Sequence, residues 1–297
     1  MSQIKKGIEL VEVSNETAIA KAGASWIKLL VLGILAGVFI GFGAEASTMV
    51  SYNLLANPGT YGLGRALAGA IFAVGLMMVV IAGAELFTGN TLMAGAVAQK
   101  RISLSGMLRN WGIVYAANLV GSLLLVCMMN SSGLWGTTEG MLGAVAIKVA
   151  AGKTALGFES AFVLGIMCNW LVCLAVWMAW ATDNVGGKIA AIFFPIWLFV
   201  ASGFEHSVAN MYFIPAGIMA KAVPALAAKA SEIGVSAEAM AGLNWHGFFI
   251  TNLIPVTLGN IVGGAFFVAL AYFVAYRNWG KGQRSAERGQ DQLTVDS

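Results

Sequence analysis

Two strongly apolar runs, residues 193–200 and 211–219, are separated by ten residues that read A-S-G-F-E-H-S-V-A-N, from Ala201 to Asn210. A glutamate, a histidine, two serines and an asparagine thus stand inside what is otherwise hydrocarbon. The chain around them is 59% hydrophobic and 10% charged, whereas soluble domains carry roughly 25% charged residues. The charge gathers at the ends and in short connections, which is the pattern of a multi-span membrane protein. Polar side chains at bilayer depth are expensive and mark a functional site by default. A second stretch of this kind, G-A-E-L-F-T-G-N from Gly83 to Asn90, interrupts the apolar segment 65–98.

Six spans are expected, at about residues 29–50, 65–98, 108–129, 156–182, 189–220 and 248–276. Crossing the hydrocarbon core takes about 20 residues, so the second and fifth are too long for one span and too short for two. A broken helix accounts for both the surplus length and the polar insertion, provided protein or a water-filled cavity surrounds the break. Residues 1–28 are polar, without the pattern of a cleavable signal, and their apolar spacing fits an amphipathic helix at the membrane surface. Residues 131–153 and 222–245 read as small-residue connections, and residues 278–297 as a polar tail. With six spans both termini share a side. That side holds twelve Lys and Arg against five on the other, so the positive-inside rule places it in the cytoplasm.

The chain also repeats. Gly83-x-Glu85-x4-Asn90 recurs as Gly203-x-Glu205-x4-Asn210. Leu32-Gly33-Ile34 recurs as Leu164-Gly165-Ile166, and Asn110 and Asn118 recur as Asn252 and Asn260. All three matches fall in the same order within two sets of three spans. Three is odd, so the second set enters the membrane upside down. Inverted repeats with discontinuous helices are a recurrent transporter architecture, with the site where the breaks meet. Half-helix N-termini there supply unpaired N–H groups and a partial positive charge, which favours an anion.

Four segments now carry a family resemblance: L-F-T-G-N-T (86–91), C-N-W-L-V-C-L-A-V-W-M-A (168–179), A-S-G-F-E-H-S-V-A-N-M (201–211) and N-L-I-P-V-T-L-G-N-I-V-G-G (252–264). Together they resemble the formate/nitrite transporter family over residues 25–277. The resemblance implies an all-α fold of six transmembrane helices in a 3+3 inverted repeat, aquaporin-like, assembled as a homopentamer in the cell membrane. It implies a pore in each protomer for small monovalent anions such as formate, nitrite, hydrosulfide, acetate or lactate. By motif, Thr88 and His206 would face each other in the pore, with Glu205 beside the histidine, while Lys153 and Asn169 would attract and polarise the anion. Phe72, Phe87 and Val172 would form an outer constriction, and Leu76, Leu86 and Phe199 an inner one. Formate is the best single substrate, nitrite or hydrosulfide the alternatives.

Weaker readings stand beside this one. Cys127, Cys168 and Cys173 lie inside apolar runs at a spacing that fits neither zinc nor disulfides, so no metal or other cofactor is expected. Gly62-x-Gly64 lacks the strand–turn–helix context of a nucleotide fingerprint, and no nucleic-acid partner is expected. A neutral-solute pore of the water or glycerol type shares the architecture but lacks paired Asn-Pro-Ala motifs. An enzyme using Ser207 and His206 would need nucleophile and base adjacent on one backbone, which rarely gives working geometry. Glu85 and Glu205 are expected to cap backbone N–H groups at the breaks. Passage of a weak acid in neutral form is the cheap route. Burying a bare carboxylate costs tens of kcal/mol by Born solvation. Protonating one whose pKa lies roughly three units below neutral costs about 4–5 kcal/mol. His206 or water would supply the proton.

Overall fold

A computed structural model describes residues 4–276, and the expected tail lies outside the described residues. Helix α1 (Ile8–Ala22) precedes α2 (Trp26–Ala56), whose first turn is capped by the Ser25 hydroxyl. The second span is α3 (Tyr61–Met78), which loosens into a π-helical turn at Val79–Gly83 and stops. A single turn, α4 (Phe87–Asn90), and the short α5 (Met93–Ala98) follow the break. Helix α6 (Leu104–Ser132) completes the first half. The second half runs α7 (Met141–Thr154), α8 (Phe158–Trp180), α9 (Val185–Ser202) and, beyond the second break, α10 (Ser207–Lys221). After α11 (Pro224–Glu232) and α12 (Ala237–Gly242), the last span occupies Gly247–Tyr276, with π-helical stretches over residues 247–253 and 262–270. Among the described residues, six helices are long and apolar enough to cross a membrane and no strand occurs.

Both interrupted spans are broken where the sequence places the breaks. Each break begins with a glycine in the left-handed region, Gly83 at φ 84° and Gly203 at φ 83°, a conformation that costs an L-residue roughly 1–2 kcal/mol. Close helix packing uses the other small residues. A Cβ on Gly37 would lie 2.1 Å from the Asn118 carbonyl oxygen, and one on Gly259 2.1 Å from that of Phe162. Tyr115 and Thr257 occupy matching places in α6 and the last span, and their hydroxyls bond to each other at 2.8 Å. That contact lies on the pseudo-twofold relation between the halves.

Two connecting regions differ from the expectation, and residues 1–28 contain the expected helix. Residues 131–153 include α7, a mostly buried helix rather than a loop. Its face of Ala146, Ala150 and neighbours lets α10 approach so closely that a Cβ on Gly217 would sit 2.2 Å from that of Ala150. Residues 222–245 contain the short helices α11 and α12. Helix α1 is fastened to the body, burying Leu10, Val11, Ser14, Asn15 and Ala18. Asn15 and Gln99 exchange amide bonds at 3.0 and 2.9 Å, and Lys5 and Arg101 pair with Asp183 and Glu12.

Candidate anion pore at the two helix breaks

The polar residues of the two breaks are wired on one plan, to which the second break adds a bond from Asn252 Nδ2 to Glu205 Oε2 at 3.2 Å. In the first, Glu85 Oε2 accepts from Lys21 Nζ at 2.8 Å and from Asn90 Nδ2 at 2.7 Å. In the second, Glu205 accepts from Lys153 Nζ and from Asn210 Nδ2, both at 2.7 Å. Asn90 also donates to Asn110 Oδ1, and Asn110 Nδ2 donates on to the Lys21 carbonyl; Asn210 donates to Asn252 Oδ1, and Asn252 Nδ2 donates to the Lys153 carbonyl. Asn118 takes the Phe87 N–H and gives its amide to the Gly33 and Glu85 carbonyls. Asn260 does the same for the Ser207 N–H and the Gly165 and Glu205 carbonyls. Buried backbone groups freed by a break need such partners.

The glutamates therefore brace lysine and asparagine side chains and do not cap backbone N–H groups. Three contributors were missed in the sequence. Lys21 stands twelve residues before Gly33, as Lys153 stands twelve before Gly165, and that shared spacing was the available signal. Asn110 and Asn252 were seen as a repeat but not as the braces of Asn90 and Asn210. Helix α1 is thus the counterpart of α7, each delivering one lysine to one break.

Between the breaks the symmetry fails. Thr88 Oγ1 and His206 Nε2 are 2.9 Å apart, both residues buried. His206 Nδ1 accepts the Ala209 N–H at 3.0 Å, so the imidazole serves as the N-cap of α10. With Nδ1 accepting, a neutral ring carries its proton on Nε2 and donates it to Thr88 Oγ1. The Thr88 hydroxyl proton is then free for another acceptor. Neither ring nitrogen bonds Ser207 Oγ, so these neighbours do not form a nucleophile–base pair.

Cavities approach this contact from both faces. One, of about 470 Å³, is lined by Lys21, Lys28, Leu76, Glu85 and Leu86 among others. On the other face a cavity of about 320 Å³ contains Arg65, Lys148, Lys153 and Glu205, and a small one of about 50 Å³ reaches His206 past Phe72 and Phe199. Arg65 donates to the Val200 and Ala201 carbonyls at the C-terminal end of α9. Lys153 also stands 5.3 Å from the Phe213 ring centroid.

The apolar residues fall into a different grouping from the one the resemblance implies. Phe72 packs edge-on against Phe199 at 5.7 Å, on the Lys153 side. Leu76 and Leu86 share the Lys21-side cavity. Phe87 points to a third face, its ring 4.8 Å from Tyr115 and 6.0 Å from Trp111. Val172 is buried on α8. Asn169, also on α8, directs its amide to the Thr88 and Asn260 carbonyls and to Thr91 Oγ1. Its donors are spent on the protein.

Comparison with known proteins agrees with this architecture. The family described as formate/nitrite transporter matches residues 8–274. A probable formate transporter of Methanothermobacter thermautotrophicus is 40% identical over 93% of this chain and 98% of its own. The formate channel FocA of Escherichia coli (strain K12) is 38% identical over 90% and 93%. Among solved structures, a pentameric formate channel with formate bound aligns with TM-score 0.71 at 38% identity, over 84% of this chain and 97% of that one. An FNT family ion channel aligns with TM-score 0.74 at 31% identity, over 90% and 99%. The chain belongs to the formate/nitrite transporter family.

Proposed function

We propose that this protein is a membrane pore for small monovalent anions of weak acids, with formate its first substrate, and that it works as a homopentamer with α1 and the tail in the cytoplasm. The observation that carries the reading is the Thr88–His206 contact: a hydroxyl–imidazole pair, buried between apolar residues, with a lysine-bearing cavity on each face. Relatives named formate channel support the substrate, and the pentameric structural relative supports the assembly. The long arms of the broken spans, α3 and α9, leave apolar residues such as Leu63, Ile71, Phe194 and Leu198 exposed for neighbouring subunits.

Lys153 on one side and Lys21 with Lys28 on the other draw the anion into the cavities. Phe72 with Phe199, and Leu76 with Leu86, are the layers it must pass without its water. The free Thr88 hydroxyl donates to the carboxylate oxygen. His206 keeps that hydroxyl oriented and serves as a neutral donor, because protonating Nδ1 would displace the Ala209 N–H and uncap α10. The proton that neutralises the acid comes from water in the cavities. Acetate and lactate share this chemistry at larger size, and nitrite and hydrosulfide share the charge.

Proteoliposome uptake tests the reading. Formate flux is expected to exceed glycerol flux by orders of magnitude, and to rise as pH falls, by up to about tenfold per unit where the neutral acid is limiting. His206→Asn should lower the flux yet keep the slope of that pH profile. Equal permeation of formate and glycerol would overturn the pore assignment, and a flattened profile in His206→Asn would make the histidine the proton carrier.

A further inference from the structure

The asymmetry between the halves extends beyond His206. By the offset that relates Glu85 to Glu205, Thr88 matches Val208 and Thr91 matches Met211. By the offset that relates Gly33 to Gly165, Gly37 matches Asn169 and Gly41 matches Cys173. By the offset that relates Asn118 to Asn260, Ser122 matches Gly264. Five positions on three elements, the first break, α8 and the last span, thus break a repeat that the lysine–glutamate–asparagine framework obeys. In the fold they come together at one place.

That place is the carbonyl of Thr88. It accepts from Thr91 Oγ1 at 2.7 Å, Asn169 Nδ2 at 3.1 Å and Cys173 Sγ at 3.4 Å. Thr91 Oγ1 also lies 3.1 Å from Asn169 Nδ2 and 3.4 Å from Cys173 Sγ. Gly264 makes room for all three. A Cβ there would stand 2.0 Å from Thr91 Oγ1, 2.6 Å from Cys173 Sγ and 2.7 Å from Asn169 Nδ2. The other half has nothing equivalent around Val208: Gly37 there is pressed against the Asn118 backbone.

A physical reason separates the two breaks. The second opens into α10, fifteen residues long and able to hold its own first turn. The first opens into α4, four residues long. A single turn is not self-supporting, because fixing its dihedrals costs more than its few hydrogen bonds return. Its geometry must be imposed from outside. Three donors converging on one carbonyl fix the plane of the peptide after Thr88, and with it the direction of the Thr88 side chain toward His206.

We propose that Thr91 and Cys173, with Gly264 as the spacer, are positioning residues of the pore: with Asn169 they hold the Thr88 carbonyl from behind and thereby set where its hydroxyl meets the anion. The inference rests on the Thr88–His206 contact being the point of passage. It predicts a change in which anion is preferred, and not merely a loss of protein.

The test uses the full-length protein in proteoliposomes, measuring formate and acetate uptake against concentration. Thr91→Val keeps the shape and removes the hydroxyl. It should raise the half-saturating formate concentration about threefold or more and lower the formate-to-acetate flux ratio by about fivefold, the order expected for a displaced hydrogen-bond donor. Thr91→Ser should restore both to within about twofold, because the donor returns. Gly264→Ala should shift the ratio in the same direction as Thr91→Val. Ser122→Ala, at the matching place in the other half, should leave the ratio unchanged. Should Thr91→Val not assemble, Cys173→Ala is read in its place, with about a twofold shift expected for the weaker sulfur donor. A wild-type ratio in the variants that assemble overturns the inference while the formate pore stands. Absence of formate flux in the wild type overturns the pore reading itself.

Discussion

The two breaks were built to one plan and then divided. In the first, Lys21, Glu85, Asn90, Asn110 and Asn118 close a network; in the second, Lys153, Glu205, Asn210, Asn252 and Asn260 close the same network with distances that agree within a few tenths of an ångström. What the halves share is structural necessity. A helix interrupted at hydrocarbon depth exposes backbone donors and acceptors that cost several kcal/mol each if left unpaired, and both halves meet that cost with a lysine, a glutamate and three asparagines. What they do not share is Thr88 against Val208 and His206 against Leu86. The difference teaches which polar residues hold the breaks open and which do something once the breaks are open.

The largest effect should come from removing a lysine, and the comparison predicts that the halves are unequal. The Lys153–Glu205 pair is the more enclosed, at 15% and 6% side-chain exposure, against 21% and 11% for Lys21–Glu85. Breaking a buried ion pair from one side leaves an uncompensated charge and costs about 3–5 kcal/mol. Lys153→Met should therefore approach that range, and Lys21→Met should fall below it, since water can reach Glu85 from the larger cavity. Heating the purified protein and following loss of the assembled oligomer by size exclusion measures both. A Lys21→Met protein as labile as Lys153→Met would mean that helix α1 is as integral to its break as α7 is.

Next in size are the asparagines of the long helices, where the comparison predicts equality. Asn118 and Asn260 each serve one backbone N–H and two backbone carbonyls at 2.8–2.9 Å. Asn118→Leu and Asn260→Leu should each cost about 1–3 kcal/mol, the penalty of one buried group that finds no new partner, and the same heating experiment should rank them together. A clear gap between them would show that one break relaxes to find other partners and the other does not.

Much of this plan was written in the sequence, because a repeated constraint leaves repeated residues. The paired break motifs and the Leu-Gly-Ile repeats of spans one and four located both breaks and the inverted order. The lysine pair carries the same spacing signal, but Lys21 lies in a segment whose pattern is that of a surface helix and so does not point to the break. Helix α7 was hidden for another reason: Leu142, Val145 and Ile147 are buried along with Gly143, Ala144, Ala146, Ala150 and Ala151, so burial runs round most of the helix and gives no apolar–polar alternation to detect. The side of Phe87 was illegible as well. Facing along a helix can be extrapolated only while the 3.6-residue phase runs on, and the break between Gly83 and Phe87 resets it. Phe72 keeps the phase of α3 and meets Phe199, whereas Phe87 follows the new phase of α4 and turns to Tyr115.

The smallest expected effect tests the breaks at their first residue. Gly83 and Gly203 have nearly the same φ, 84° and 83°, but different surroundings. A Cβ on Gly83 would meet nothing within 4 Å, whereas one on Gly203 would stand 3.4 Å from Arg65 Nη2. Arg65 also donates to the last carbonyls of α9. Alanine at either site carries the left-handed cost of roughly 1–2 kcal/mol, so Gly83→Ala should show that cost alone, and Gly203→Ala should add a small contribution from the displaced guanidinium. Asparagine visits this backbone region more readily, so Gly83→Asn should recover part of the loss, while Gly203→Asn should recover less because its larger side chain presses harder on Arg65. If alanine were harmless at both sites, the left-handed residue would not be what stops α3 and α9. The breaks would then be imposed entirely by the asparagines and lysines that grip them from outside.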